Sequence, residues 1–130
     1  MKITPILYVK AIEPCLPFWV DSLGFEKTVE VPEGDRLGFV ILVKPGLEVM
    51  IQTLESVKKD NPAILESLSK SSVLFIEVDD FDATLRCLNA VEVVSPVRTT
   101  FYGMKEILIR EPGGNLLCFA APARETASAV

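Results

Sequence analysis

Histidine is absent from this 130-residue chain, which removes both the commonest transition-metal ligand and the usual near-neutral general base. The chemistry left rests on scattered side chains in apolar segments. Glu48, Glu77 and Glu106 could meet a cation, or act as a base if burial raised their pKa. Arg110 could hold a carboxylate or pair with Glu106, four residues back. Gln52 is an amide fit for a hydrogen bond within a sheet, and Tyr8 and Phe75 offer aromatic surface. Cys118 has no histidine and no evident basic neighbour to make it a thiolate, so it reads as an inert buried thiol. A plainer reading stands beside these: Glu48 and Glu77 at strand ends in solvent, with Glu106 and Arg110 as a local ion pair. There is no glycine-rich phosphate loop, no paired-cysteine motif and no Ser/His/Asp set, so nucleotide and nucleophilic chemistry find no foothold.

The elements that must position these residues show in the alternation of the sequence. Period-two patterns run over Ile3–Val9, Leu37–Val43, Glu48–Leu54, Ser72–Val78, Glu106–Arg110 and Asn115–Ala121, and predict half-buried strands. Ile12–Leu23 predicts a helix that starts at Pro14, buries Cys15, Trp19 and Leu23, and ends at Gly24. Asp80 predicts the N-cap of a second helix carrying Phe81, Leu85 and Leu88 at helical spacing. Asn61-Pro62 opens a third, from about 62 to 69, joining two halves. Val9, Ile12, Leu16 and Trp19 recur 69 residues later as Val78, Phe81, Leu85 and Leu88, and the turn Lys44-Pro45-Gly46 recurs as Glu111-Pro112-Gly113. The expectation is an α+β fold of two tandem βαβββ modules, about 2–54 and 72–121, forming a curved mixed sheet around a cavity. One domain over 1–122 with a flexible tail at 123–130 completes the layout.

Bulk composition narrows the partners. A formal charge of −5 disfavours nucleic acid and anionic membranes and mildly favours a cationic or neutral ligand. No apolar run approaches the ~20 residues a membrane span requires, and the first residues, with no long apolar stretch and no small-residue cleavage site, are not expected to form a secretory signal. Three widely spaced cysteines in apolar settings suggest buried thiols in a reducing compartment, hence a cytoplasmic protein.

Tyr8-Val9 through Phe18-Trp19 to Leu23-Gly24-Phe25, then Val78-Asp79-Asp80, then Gly103 through Lys105-Glu106 to Glu111-Pro112-Gly113-Gly114-Asn115, resemble the vicinal-oxygen-chelate superfamily of glyoxalases, bleomycin-resistance proteins and dioxygenases. The resemblance covers about 3 to 121 and is closest to the metal-free bleomycin-resistance branch, although Glu111 stands where that branch usually has Asp. It implies a homodimer with cavities shaped by both subunits. Metal-dependent members place His, Glu or Gln on four inward strand positions, which fall here at Thr4, Gln52, Val73 and Cys118. Only Gln52 suits, and the immediate neighbours do not rescue the site.

If those positions face inward, alternation places Thr4, Ile6 and Tyr8, Glu48, Met50, Gln52 and Leu54, and Val73, Phe75 and Glu77 on the cavity side. Glu106, Leu108, Arg110, Leu116 and Cys118 join them, while the opposite parity is almost wholly apolar and belongs beneath the helices. The ligand-binding candidates are therefore Tyr8, Glu48, Met50, Gln52, Phe75, Glu77, Glu106, Leu108, Arg110 and Cys118, with no catalytic residue, no cofactor and no metal. The expected function is metal-free binding of a small cationic or aromatic molecule, as in sequestration of a drug or metabolite. The alternatives are a metal-independent isomerase or lyase using a cavity glutamate, or a regulatory or scaffold protein.

Overall fold

The computed structural model describes residues 1–69 and 72–123. The expected flexible tail therefore lies, apart from Ala123, outside the described residues. Strands β1 (Ile6–Val9), β2 (Glu26–Glu33), β3 (Arg36–Lys44) and β4 (Leu47–Thr53) are followed by helices α1 (Leu54–Asp60) and α2 (Pro62–Ser67). Then come β5 (Val73–Glu77), α3 (Phe81–Cys87), β6 (Glu92–Thr99), β7 (Met104–Arg110) and β8 (Leu116–Pro122). The chain divides into two compact units, residues 1–69 with 112–114 and residues 72–111 with 115–123.

Each unit holds its own four-stranded mixed sheet, ordered β1-β4-β3-β2 in the first and β5-β8-β7-β6 in the second. The first strand of each lies parallel to the last, Ile6 to Thr53 in register from Ile6–Met50 onward, and Val73 to Ala120 from Val73–Leu116 onward. The remaining neighbours are antiparallel. This is the α+β fold of repeated βαβββ modules that the spacing predicts, with two sheets in place of one continuous sheet.

The period-two pattern reports the faces correctly. In the first unit Leu7, Val9, Val40, Leu42, Val49 and Ile51 are buried, while Tyr8, Phe39, Ile41, Glu48, Met50 and Gln52 are half-buried on the other face. In β8, flanked on both sides, Leu117 through Ala121 are all buried, as a central strand requires.

The segment after β1 departs from the single helix expected over Ile12–Leu23. It is a 3₁₀ turn, Glu13–Cys15, leading into a π-helical stretch, Pro17–Ser22. Pro17 has no N–H, so the Glu13 carbonyl cannot receive its usual i+4 donor and takes the Leu16 N–H instead. Beyond it the Leu23 N–H reaches back five residues to Phe18 O at 3.0 Å, and Gly24, at φ +79°, ends the segment. Phe18, Trp19 and Phe25 are buried in edge-to-face contact, with centroids 5.4 Å apart on each side of Trp19.

Two further boundaries move. Leu54 opens α1 and does not extend β4: Thr53 adopts extended φ/ψ, and its hydroxyl accepts the Ser56 N–H at 3.0 Å. The helix expected over 62–69 is thus preceded by a second one, broken from it where Asn61 leads into Pro62. Asp80 caps α3 as expected, accepting the Ala83 N–H at 3.0 Å, but Cys87 at the end of that helix is exposed while Cys15 and Cys118 are buried. Six residues beyond the buried Phe81, Cys87 falls on a different side of the helix.

Candidate functional site

Four predicted residues converge on the open face of the second sheet. The register aligns Phe75 with Cys118, Cys118 with Leu108 and Leu108 with Ser95, making one row across all four strands. The adjacent row runs from Glu77 through Ala120 and Glu106 to Arg98. Above these rows lies a cavity of about 360 Å³ lined by Val73, Phe75, Ser95, Arg98, Tyr102, Glu106, Leu108 and Cys118.

Among the described residues that line the cavity, Glu106 is the only buried charge. The carboxylate faces the open side of the sheet, yet two neighbours cover it: the Tyr102 hydroxyl donates to Oε2 at 2.7 Å, and Arg98 Nη2 approaches Oε1 at 3.4 Å. Tyr102 reaches back because Thr100, Phe101 and Gly103 turn the chain between β6 and β7. The Thr100 N–H bonds Met104 O at 2.7 Å, the Thr100 hydroxyl accepts the Met104 N–H at 3.0 Å, and Gly103 takes φ +87°. Phe101 and Tyr102 pack edge to face at 5.0 Å, and both are exposed at the rim.

The electrostatics follow from that geometry. The bond to Glu106, then partial burial, then the carboxylate charge raise the Tyr102 phenol above its ordinary pKa. Burial first, and the Glu106 charge second, also raise the Cys118 thiol. Cys118 is therefore a neutral wall of the cavity and not a nucleophile.

The expected ion pair between Glu106 and Arg110 does not form. They lie two pairs apart along β7, and Arg110 Nε instead faces Glu92 Oε1 at 3.4 Å, its partner in register on β6. Glu77 is exposed at the end of β5 and does not line the cavity. Tyr8, Glu48, Met50 and Gln52 belong to the first unit, on its half-open face. There Tyr8 pairs in register with Gln52, whose amide donates to Ser56 Oγ at 3.1 Å, and Glu48 accepts from the Thr4 hydroxyl at 3.3 Å and pairs with Lys2. Lys2, and more weakly Thr4, lower the Glu48 pKa.

Ser95, Arg98 and Tyr102 escape a reading by alternation. Register shifts between Val93 and Ser95 and between Ser95 and Arg98 break the period of β6, which also carries Pro96, and Tyr102 sits in a turn where alternation does not apply. The signal present in the sequence was Phe101-Tyr102-Gly103, an aromatic pair before a glycine.

The four positions that the family resemblance assigns to metal ligands do not offer a divalent cation a fitting donor set. Thr4 precedes β1 and bonds Glu48, Gln52 bonds Ser56, Val73 offers no donor atom, and Cys118 holds its proton. Among the described residues no group of three or more His, Cys, Asp or Glu is placed to share an ion.

A family model described as the Glyoxalase/Bleomycin resistance protein/Dioxygenase superfamily matches residues 2–119. Among solved structures, the bleomycin-binding protein of bleomycin-producing Streptomyces verticillus, complexed with copper(II)-bleomycin, is 26% identical, with TM-score 0.61, over 93% of this chain and 95% of that one. A lactoylglutathione lyase from Agrobacterium tumefaciens is 16% identical, with TM-score 0.73, over 93% of this chain and 92% of that one. A glyoxalase/bleomycin resistance protein/dioxygenase from Nocardioides is 16% identical, with TM-score 0.71, over 94% and 83%. No curated protein sequence matches the chain.

Proposed function

The chain belongs to the glyoxalase/bleomycin resistance protein/dioxygenase superfamily, and from that membership we propose a metal-free binding protein that holds an amphipathic small molecule on the open face of its second sheet. The observation that carries this reading is the cavity in which hydrocarbon walls, Val73, Phe75 and Leu108, surround a single buried carboxylate. Small-molecule pockets have this composition: an apolar body gains by leaving water, and a few fixed polar groups set its orientation. Phe75 and Tyr102 offer ring faces for a flat body, and Glu106 attracts a positive group at its end. Sequestration needs no bond made or broken. The likeness to a bleomycin-binding protein supports the same class of function.

A thermal-shift screen of amphipathic cations, peptide antibiotics with and without copper, and aromatic acids tests it. A ligand at about 100 times its Kd stabilises the native state by about 2.7 kcal/mol, and Glu106→Gln should abolish most of that shift for the cationic hits. Uniform failure across the library would point to a scaffold role instead. A second reading has its own observation, a buried carboxylate facing a cavity: turnover by metal-free protein that vanishes in Glu106→Gln would make Glu106 a base.

Homodimerisation and cytoplasmic residence belong to the same proposal. Exposed Ile6, Val29 and Val31 on the open face of the first sheet support the former, and three cysteines that form no disulfide the latter. No helix among the described residues is long and apolar enough to cross a membrane.

A further inference from the structure

Resting on that binding reading, we propose that Arg98 is a specificity-determining residue of the cavity: it is a resident cation on Glu106 that the ligand's own cation must displace. The two partners of Glu106 differ in kind. Tyr102 makes a short bond to Oε2, whereas Arg98 makes a long contact to Oε1 from a side chain that is 62% exposed, against 10% for Glu106. A loose, largely solvated ion pair contributes little and is readily exchanged, while a buried carboxylate stripped of any counter-charge is costly. The register accounts for this placement: Arg98 and Glu106 are cross-strand partners on β6 and β7, which brings the guanidinium within reach of the carboxylate. Arg98 thus covers the carboxylate when the cavity is empty and sets a threshold against weak cations. Because Oε2 is already held by Tyr102, displacement opens mainly Oε1, which suits an ammonium, a point charge that requires no two-oxygen fork, attached to an aromatic body lying against Phe75 and Leu108.

The test uses two probes of equal shape, benzylammonium and benzyl alcohol, titrated by NMR into the wild-type chain, Arg98→Gln and Arg98→Lys. Arg98→Gln should tighten benzylammonium about tenfold, the worth of one charge-assisted hydrogen bond freed from competition, and leave benzyl alcohol unchanged. Arg98→Lys, which keeps the resident charge, should stay near the wild type. Within the wild-type protein, benzylammonium should shift the Arg98 Nε–H resonance and benzyl alcohol should not, a readout that requires no variant to fold. Binding of both probes with the same relative affinity in Arg98→Gln, or tighter benzylammonium in the wild type than in Arg98→Gln, would overturn the role of Arg98 while leaving the binding function standing. Failure of both probes to bind any of the three chains would overturn the two together.

Discussion

Glu106 offers its two oxygens to different partners, and the consequence is measurable at the Tyr102 phenol. Its bond to Glu106 exists only while the phenol keeps its proton. The folded pKa is raised, so the stability this bond contributes is fully present below the ordinary tyrosine pKa and is lost as pH rises through the raised value. In Glu106→Gln the Tyr102 phenolate absorbance should appear at lower pH than in the wild type; an unchanged titration would mean that the carboxylate does not hold the hydroxyl. The thiols give a second prediction at this scale. Cys87 is exposed on α3, whereas Cys15 and Cys118 are buried, with the Cys118 proton held the more tightly by its surroundings. A thiol reagent at neutral pH should modify one cysteine rapidly in native protein, mapping to Cys87, and all three in denaturant.

Elements in this chain are short, and their ends are fixed by single residues. Asp80 supplies the one side-chain cap of α3, so Asp80→Ala should cost about 1 kcal/mol in denaturant unfolding. Gly38 is a different kind of constraint. A β-carbon there would come within 2.8 Å of Glu33 Cβ and 3.3 Å of Ser56 Cβ, and neither is the free end of a flexible side chain. Gly38 therefore lets β2, β3 and α1 approach closely, and Gly38→Ala should destabilise by roughly 1–3 kcal/mol, the usual cost of overpacking. A wild-type midpoint for that variant would show that α1 shifts freely against β3. One residue before Gly38, the Leu37 N–H donates to the Glu13 carboxylate at 2.7 Å and ties the irregular helical segment to β3. That bond is the largest cause of the lowered Glu13 pKa.

At the scale of the whole molecule, one order of pairing appears twice, parallel outer strand beside the last strand, then two antiparallel neighbours. Each unit thereby keeps an edge strand, β2 or β6, bearing exposed valines: Val29 and Val31 on one, Val93, Val94 and Val97 on the other. Unpaired edges and exposed apolar rows are features that association conceals. Light scattering should give twice the monomer mass, and Val31→Glu should shift it towards one. A monomeric wild type at micromolar concentration would remove the dimer from the proposal.

The sequence by itself determined the modules, the faces of the strands and the absence of an imidazole chemistry. Alternation is a local property: because strand side chains point to opposite sides in turn, Leu7 and Val9 declare one face and Tyr8 the other without any knowledge of partners. Repetition of Val9–Trp19 as Val78–Leu88 is likewise readable in one dimension. Five of the eight cavity-lining residues were legible on the same grounds, since Val73, Phe75, Glu106, Leu108 and Cys118 follow from parity once the inward face is chosen. What only the tertiary structure decided is who pairs with whom. Register chose Arg98 and not Arg110 for Glu106, a broken period concealed β6, and a turn carried Tyr102 onto a carboxylate four residues away. Parity fixes a side of the sheet, but cross-strand register and turn geometry depend on contacts between residues that alternation within one strand does not encode.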